Sequence, residues 1–188
     1  MKKGKLKEPA FAYLKELDSI PNLKCKGKSM EYFIDLDNID EALKVNLCLQ
    51  LNSILKKMGE TKASKKDFIN SIQALNIVKF ARDHINYVTF LLFKDRATKS
   101  TDIKCPQVFN ILRKLCMIYG LNHLNKDALA CYQSGYFSGQ PYHDLIIEAI
   151  KEINREIRPL AIPIMESVDL PDEMFPSAIG NSYGDIYE

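Results

Sequence analysis

The sequence holds 188 residues, 46% of them hydrophobic and 27% charged, with a formal net charge of +2. A balance so near neutral gives no argument for a nucleic-acid binder, and this length can build a core burying ~70% of the unfolded surface without metal or disulfide staples. No apolar run approaches the ~18 residues of a membrane span; the longest, Tyr87 to Phe93, is broken by Thr89.

The five cysteines are Cys25, Cys48, Cys105, Cys116 and Cys131. Their odd number and the lack of C-x-x-C spacing argue against a disulfide framework and a zinc site, and fit a reducing interior compartment. The first residues carry Lys2, Lys3, Lys5 and Lys7. They read as a solvated tail, with no secretory apolar segment.

Pro9 suits the first turn of a short helix that should stop before Pro21. Asp35, Asp37 and Asp40 lack the glycine and glutamate of a calcium loop, and read as a turn and a helix cap. A second helix is expected from about Asp40 to Met58, with the stripe Leu43, Leu47, Leu51, Ile54, Leu55 and Met58, and with Gly59 as its stop.

Ser64 with Asp67 is a variant capping box opening a third helix that runs to Phe93, ~45 Å long. One stripe is Phe68, Ile72, Leu75, Val78, Ala81, Ile85, Val88 and Leu92; a second is Ile77, Phe80, His84, Tyr87 and Leu91. A helix apolar on two faces should be buried between neighbours.

Pro106 suits the start of a fourth helix with the stripe Val108, Ile111, Leu112, Leu115, Ile118 and Tyr119, Gly120 lying near its end. A short helix should follow over Lys126 to Gln133, capped by Asn125 and stopped by Gly135. A sixth helix begins near Pro141. Its residues Ile146, Ile150, Ile153, Ile157, Leu160 and Ile164 alternate spacings of four and three, as in a knobs-into-holes seam. Pro159 and Pro163 fall inside that seam and predict a kink or an end. Pro171 and Pro176 mark an irregular tail. With no period-two alternation, the pattern predicts an all-α protein whose four principal helices form an antiparallel bundle. Residues 1–62 read as a helical segment leading into a helical domain over 63–188.

Candidate chemistry is sparse. None of His84, His123 and His143 has another histidine at the i+3 or i+4 spacing of a helical metal clamp. His84 reads as a buried structural histidine, the alternative being a catalytic base. His143 and Asp144 fall at a helix start, where an aspartate favours the dipole. Cys116, among Leu115, Met117 and Ile118, reads as a core thiol; Cys105, before Pro106, is the cysteine with a setting for reactivity. No G-x-G-x-x-G, P-loop or nucleophile elbow occurs. The residues alone therefore lead to a helical bundle with no assigned catalytic, cofactor-binding or metal residue.

Five motifs in order carry a resemblance. They are Ala81-Arg82-Asp83-His84 with Tyr87-Val88; Leu112-x-x-Leu115-Cys116-x-x-Tyr119-Gly120-Leu121; Ser134-Gly135-Tyr136-Phe137; Ile157-Arg158-Pro159-Leu160-Ala161-Ile162; and Ser177-Ala178-Ile179-Gly180 with Tyr183-Gly184-Asp185-Ile186-Tyr187-Glu188. Together they resemble the C-terminal helical region of the peroxisomal acyl-CoA oxidase family. Pro163, Glu166-Ser167 and Gly184-Asp185 depart from that family's pattern.

The resemblance implies a parent flavoprotein that oxidises fatty acyl-CoA to the trans-2-enoyl thioester. FAD takes the hydride, a glutamate the α-proton, and molecular oxygen becomes hydrogen peroxide. The family's G-G-H-G-Y and T-F-E-G-E-N segments do not occur in this sequence, and neither does the S-K-L peroxisomal ending. What the resemblance leaves to these helices is packing against the rest of the enzyme or a dimer partner, and walling the substrate cavity. The chain alone is expected to be inactive and to expose a large apolar face. The competing expectation is a stand-alone, non-enzymatic helical interaction module.

Overall fold

The computed structural model describes residues 9–17, 19–20, 23–99 and 103–168. The lysine-rich start, Pro21, the irregular tail and the motif over 177–188 lie outside the described residues. Two compact units divide the chain, residues 1–153 and 154–188.

In the first unit a 3₁₀ helix, Pro9–Glu16, and a 3₁₀ turn, Met30–Phe33, precede the first long helix. Helix α1 spans Leu36–Glu60. It begins before the expected Asp40 because Asp35 is the cap: its carboxylate accepts from the backbone N–H groups of Asp37 and Asn38 at 2.9 and 3.0 Å. Those donors have no partner inside the helix, so the cap satisfies them. Gly59 does not stop α1, which carries it within its last turn.

The expected third helix exists but is broken. Ser64 accepts from the Asp67 N–H at 3.1 Å and its hydroxyl donates to the Asp67 carboxylate at 2.6 Å. That capping box opens a single turn, α2, Lys65–Asp67, followed by a π turn over Phe68–Ile72. Gln73, at φ −120° and ψ 14°, leaves helical geometry. Helix α3 then runs unbroken from Ala74 to Lys99. The π turn adds a residue to one helical turn and shifts the register of everything after it.

Helix α4 is one 28-residue element, Pro106–Gln133, and not the two shorter helices expected. Gly120 is therefore interior. Its absent side chain is what the packing uses: a Cβ there would lie 2.6 Å from Ile39 Cγ2 and 2.7 Å from Phe90 Cε2. The buried line of α4 passes through Cys116, Gly120, Leu124 and Ala128, leaving the expected stripe from Ile111 to Tyr119 half-buried. At its end Gly135, at φ +78°, turns the chain.

Cross-contacts set the helix directions. Asp37 meets Lys94 and Gln50 meets Asp83, so α1 and α3 are antiparallel. Phe90 approaches Gly120 while Lys79 meets Asp127, so α3 and α4 are also antiparallel. Helix α5, Tyr142–Ile157, buries Ile146, Ala149, Ile153 and Ile157. Pro159 then sits in a 3₁₀ turn, Arg158–Leu160, as its missing donor dictates. Pro163 lies in the first turn of α6, Ala161–Glu166, where backbone donors have no partner inside the helix. No strand occurs among the described residues, and the protein is all-α.

The two stripes of α3 part company. Tyr87 and Phe90 are buried, with Ile77, Phe80, His84 and Leu91 half-buried around them. The other face is open: Ile72, Leu75, Val78, Ile85 and Leu92 are 51–86% exposed. Of that stripe, Phe68 alone is buried, because the π turn re-aims it.

Two glycine substitutions of opposite sign follow. Gly120→Ala should destabilise by ~1–3 kcal/mol through overpacking against Ile39 and Phe90. Gly59→Ala, where no atom lies within 4 Å of the added Cβ, should stabilise by about 0.5–1 kcal/mol through helix propensity. Urea unfolding of the two variants checks both; equal effects at the two sites would contradict the packing described.

Candidate functional site

The polar side chains that matter lie at two junctions between α1, α3 and α4. In the first, the Lys94 ammonium, largely shielded, lies 2.7 Å from carboxylate oxygens of both Asp37 and Asp40. The Tyr87 hydroxyl donates to Asp40 at 2.9 Å. Burial opposes the Lys94 charge, but its two hydrogen-bonded carboxylates outweigh that and hold the ammonium above its usual pKa. The Lys94 hydrogen bond holds Asp37 below the usual carboxylate value. So of the three acids expected to form a turn and a cap, only Asp35 caps.

In the second junction Lys79 bridges Asp83 at 2.7 Å and Asp127 at 2.6 Å. Gln50 donates to Asp83 at 2.9 Å and Asn46 to Asp127 at 3.2 Å. Nothing in the sequence pattern paired Asp83 with Asp127, because the pairing depends on which turn of α4 faces α3.

His84 sits in an aromatic stack. Its ring lies 5.0 Å from that of Phe11 at 17°, and 6.4 Å from that of Phe80 at 23°. Burial lowers its pKa, and Nδ1 shares a hydrogen bond with the Tyr13 hydroxyl at 3.0 Å. Burial, with Cys48 nearby, pushes the Tyr13 phenol up to about 12. An imidazole stacked between rings and hydrogen-bonded to a phenol is built as a packing element. His123 packs edge-on against Tyr119, and burial lowers its pKa too. His143 is exposed and its backbone N–H donates to the Tyr132 hydroxyl at 2.9 Å; Asp144 occupies the first turn of α5.

Four cysteines are buried. Burial pushes Cys116 and Cys131 up to about 12 and Cys48 up to about 11, which blunts each as a nucleophile. Cys105 is exposed, and its thiol donates to the Gln107 side-chain carbonyl at 3.0 Å.

The Ser134–Phe137 turn anchors an aromatic cluster. Phe137 stacks on Tyr142 at 4.8 Å and meets Phe33 edge-on. Tyr142 donates to the Cys25 carbonyl at 3.0 Å, while the Cys25 N–H donates to the Tyr136 carbonyl at 2.9 Å.

A half-open cleft of about 460 Å³ lies between α1, α3 and α4, lined by Gln50, Ser53, Lys57, Asn76, Lys79 and Gln133 among others. The flavin implied by the resemblance finds no fitting residues there. Lys79, a cation lining the cleft, is already held by two carboxylates that would repel a pyrophosphate. No group of three or more metal-ligating side chains is assembled among the described residues.

The histidines predict an acid limit on stability. A base whose folded pKa lies below its unfolded value stabilises the fold above that unfolded value, about 6.5, and loses the contribution as pH falls through the folded value. Unfolding midpoints should therefore drop below about pH 6.5, and His84→Gln should flatten part of that drop. An unchanged acid slope in the variant would show His84 to be uncoupled from folding.

Comparison with known proteins supplies what the geometry does not. A sequence model of the acyl-CoA oxidase family matches residues 35–188. Peroxisomal acyl-coenzyme A oxidase 1 from Bos taurus is 25% identical over 191 residues, covering 98% of this chain and 28% of the relative. The Rattus norvegicus protein of that name is 25% identical, covering 100% and 29%. This chain thus spans under a third of the length of these relatives. The crystal structure of an acyl-CoA oxidase from Lycopersicon esculentum (tomato) superposes with a TM-score of 0.88 at 18% identity, over 98% of this chain and 28% of that one. The helical fold is therefore that of a portion of these enzymes, and the chain belongs to the acyl-CoA oxidase family.

Proposed function

We propose that this chain is the C-terminal helical portion of an FAD-dependent acyl-CoA oxidase, which converts fatty acyl-CoA and oxygen to trans-2-enoyl-CoA and hydrogen peroxide in peroxisomal fatty acid β-oxidation. Its share of that work is structural. It packs against the remainder of the enzyme or a dimer partner and helps wall the substrate cavity. FAD and the catalytic base belong to the remainder, so the chain alone is inactive. The peroxisomal setting follows the naming of its relatives.

The observation that carries this reading is the open face of α3, set beside a family match spanning under a third of each relative. Leu75 is 86% exposed and Leu92 66%, with Val78 and Ile85 between them on one side of the helix. Soluble proteins seldom leave such a continuous apolar patch uncovered, and a patch of this kind marks an interface.

Two measurements test the reading. A preparation spanning residues 1–188, supplied with FAD and a fatty acyl-CoA, should form no peroxide, whereas the longer reading frame should; peroxide from the short chain would sink the proposal. Leu75→Lys with Ile85→Lys should change the stability of the short chain by no more than about 0.5 kcal/mol per site, as surface substitutions do. The same pair should strongly destabilise the longer enzyme. Equal effects in both would mean that nothing covers this face, and would favour a stand-alone helical module.

A further inference from the structure

The open face of α3 is not apolar throughout. Leu75, Val78, Ile85 and Leu92 lie on the alternating three- and four-residue spacing of a helix-packing seam, which covers ~26 Å of helix. Arg82 and Thr89 fill the seam positions between them, and both are exposed. Thr89 asks nothing of a partner, because its hydroxyl donates to the Ile85 carbonyl at 3.0 Å, one turn back. Arg82 is different. It sits near the middle of the seam, and no hydrogen bond or ion pair holds its guanidinium among the described residues.

Whatever covers this seam must deal with that charge. Apolar cover alone would strand a guanidinium away from water, at a large cost. A carboxylate at the matching point turns the same residue into a bidentate anchor. An arginine ringed by apolar side chains is also the composition that interface centres favour.

A second copy of α3 does not offer the carboxylate. The helix holds two acids, Asp83 and Asp95. Lys79 already holds Asp83 at 2.7 Å, and Lys99 holds Asp95 at 2.8 Å. Side by side in parallel, two copies would set Arg82 against Arg82. Antiparallel, with Leu75 against Leu92, they would set the two arginines in neighbouring layers of the seam. Like charges so placed disfavour the pairing. The relatives, by contrast, run well beyond the 28–29% of their length that this chain covers.

We propose that the face is covered by an amphipathic helix from the part of the enzyme outside residues 1–188, and that this helix sets one aspartate or glutamate opposite Arg82 within its apolar side. Such a partner presupposes the reading above, in which the face is buried in a longer enzyme.

Thermal midpoints of chain 1–188 and of the longer enzyme test the pairing. Arg82→Met should leave the short chain unchanged. In the longer enzyme it should lower the midpoint by several degrees at about pH 7, because it strands the partner's carboxylate, and Arg82→Lys should recover most of that loss. A stranded carboxylate is protonated more readily than a paired one, so the deficit of Arg82→Met should shrink as the pH falls towards about 5. A longer enzyme that tolerates or gains from Arg82→Met, a lysine variant no better than the methionine one, or a deficit that ignores pH would each overturn the proposal. If Arg82→Met does not fold in the longer enzyme, a folded Arg82→Lys supports the pairing and an unfolded one overturns it. Failure of the functional reading looks different: Leu75→Lys with Ile85→Lys would then leave the longer enzyme as stable as the wild type. Sedimentation of chain 1–188 as a dimer that the same lysine pair dissociates would put a second copy on this face, and would also overturn the proposal.

Discussion

The structure depends on one close approach. Gly120 lets α4 come so near α1 and α3 that Ile39 and Phe90 occupy the space a side chain would fill. Interiors pack at crystal-like density, so a methyl group at this point is felt by both neighbouring helices. Once the three axes are this close, the charged side chains beside the contact must be satisfied in place. Lys94 does this on one side of Gly120 with Asp37 and Asp40, and Lys79 does it on the other with Asp83 and Asp127. The apolar contact sets the distance between helices, and the flanking ion pairs set their register.

That arrangement explains why the titratable residues are poor candidates for catalysis. Burial holds Cys116 and Cys131 as thiols and lowers the pKa of His84. Lys79 and Lys94 are held charged by two carboxylates apiece. Groups pinned in one protonation state stabilise a scaffold well, and serve badly as acids or bases that must change state during turnover. The structural role proposed for this chain agrees with this chemistry, and the exposed apolar side of α3 is the surface that proposal uses.

Much of the local structure was legible from residue type. Ser64 with Asp67, Pro106, Gly135 and Pro159 each act where their backbone chemistry predicts, because capping, missing donors and positive φ are local properties. The family motifs over Ala81–Ile162 were legible for the same reason, as strings of adjacent residues. Other features were not. Gly59 and Gly120 have the composition of helix stops, yet both lie inside helices, since glycine in a helix costs only about 1 kcal/mol and packing readily outweighs that. The apolar stripe through Leu75, Val78, Ile85 and Leu92 has the periodicity of a buried face, but periodicity reports that a face is apolar and not what covers it. The π turn at Phe68–Ile72 has no composition signal, and it decides which of those apolar residues turns inward.

The sequence by itself determined the helical class, most helix starts, the absence of familiar catalytic motifs and the family resemblance, because these rest on contacts within a few residues or on the motif strings themselves. Only the tertiary structure decided that α4 is continuous through Gly120, that Asp83 and Asp127 share one lysine, that His84 is stacked between rings, and that one face of α3 stays open. Those outcomes depend on which turns of distant helices meet, and the energy that selects them arises between residues far apart in the chain.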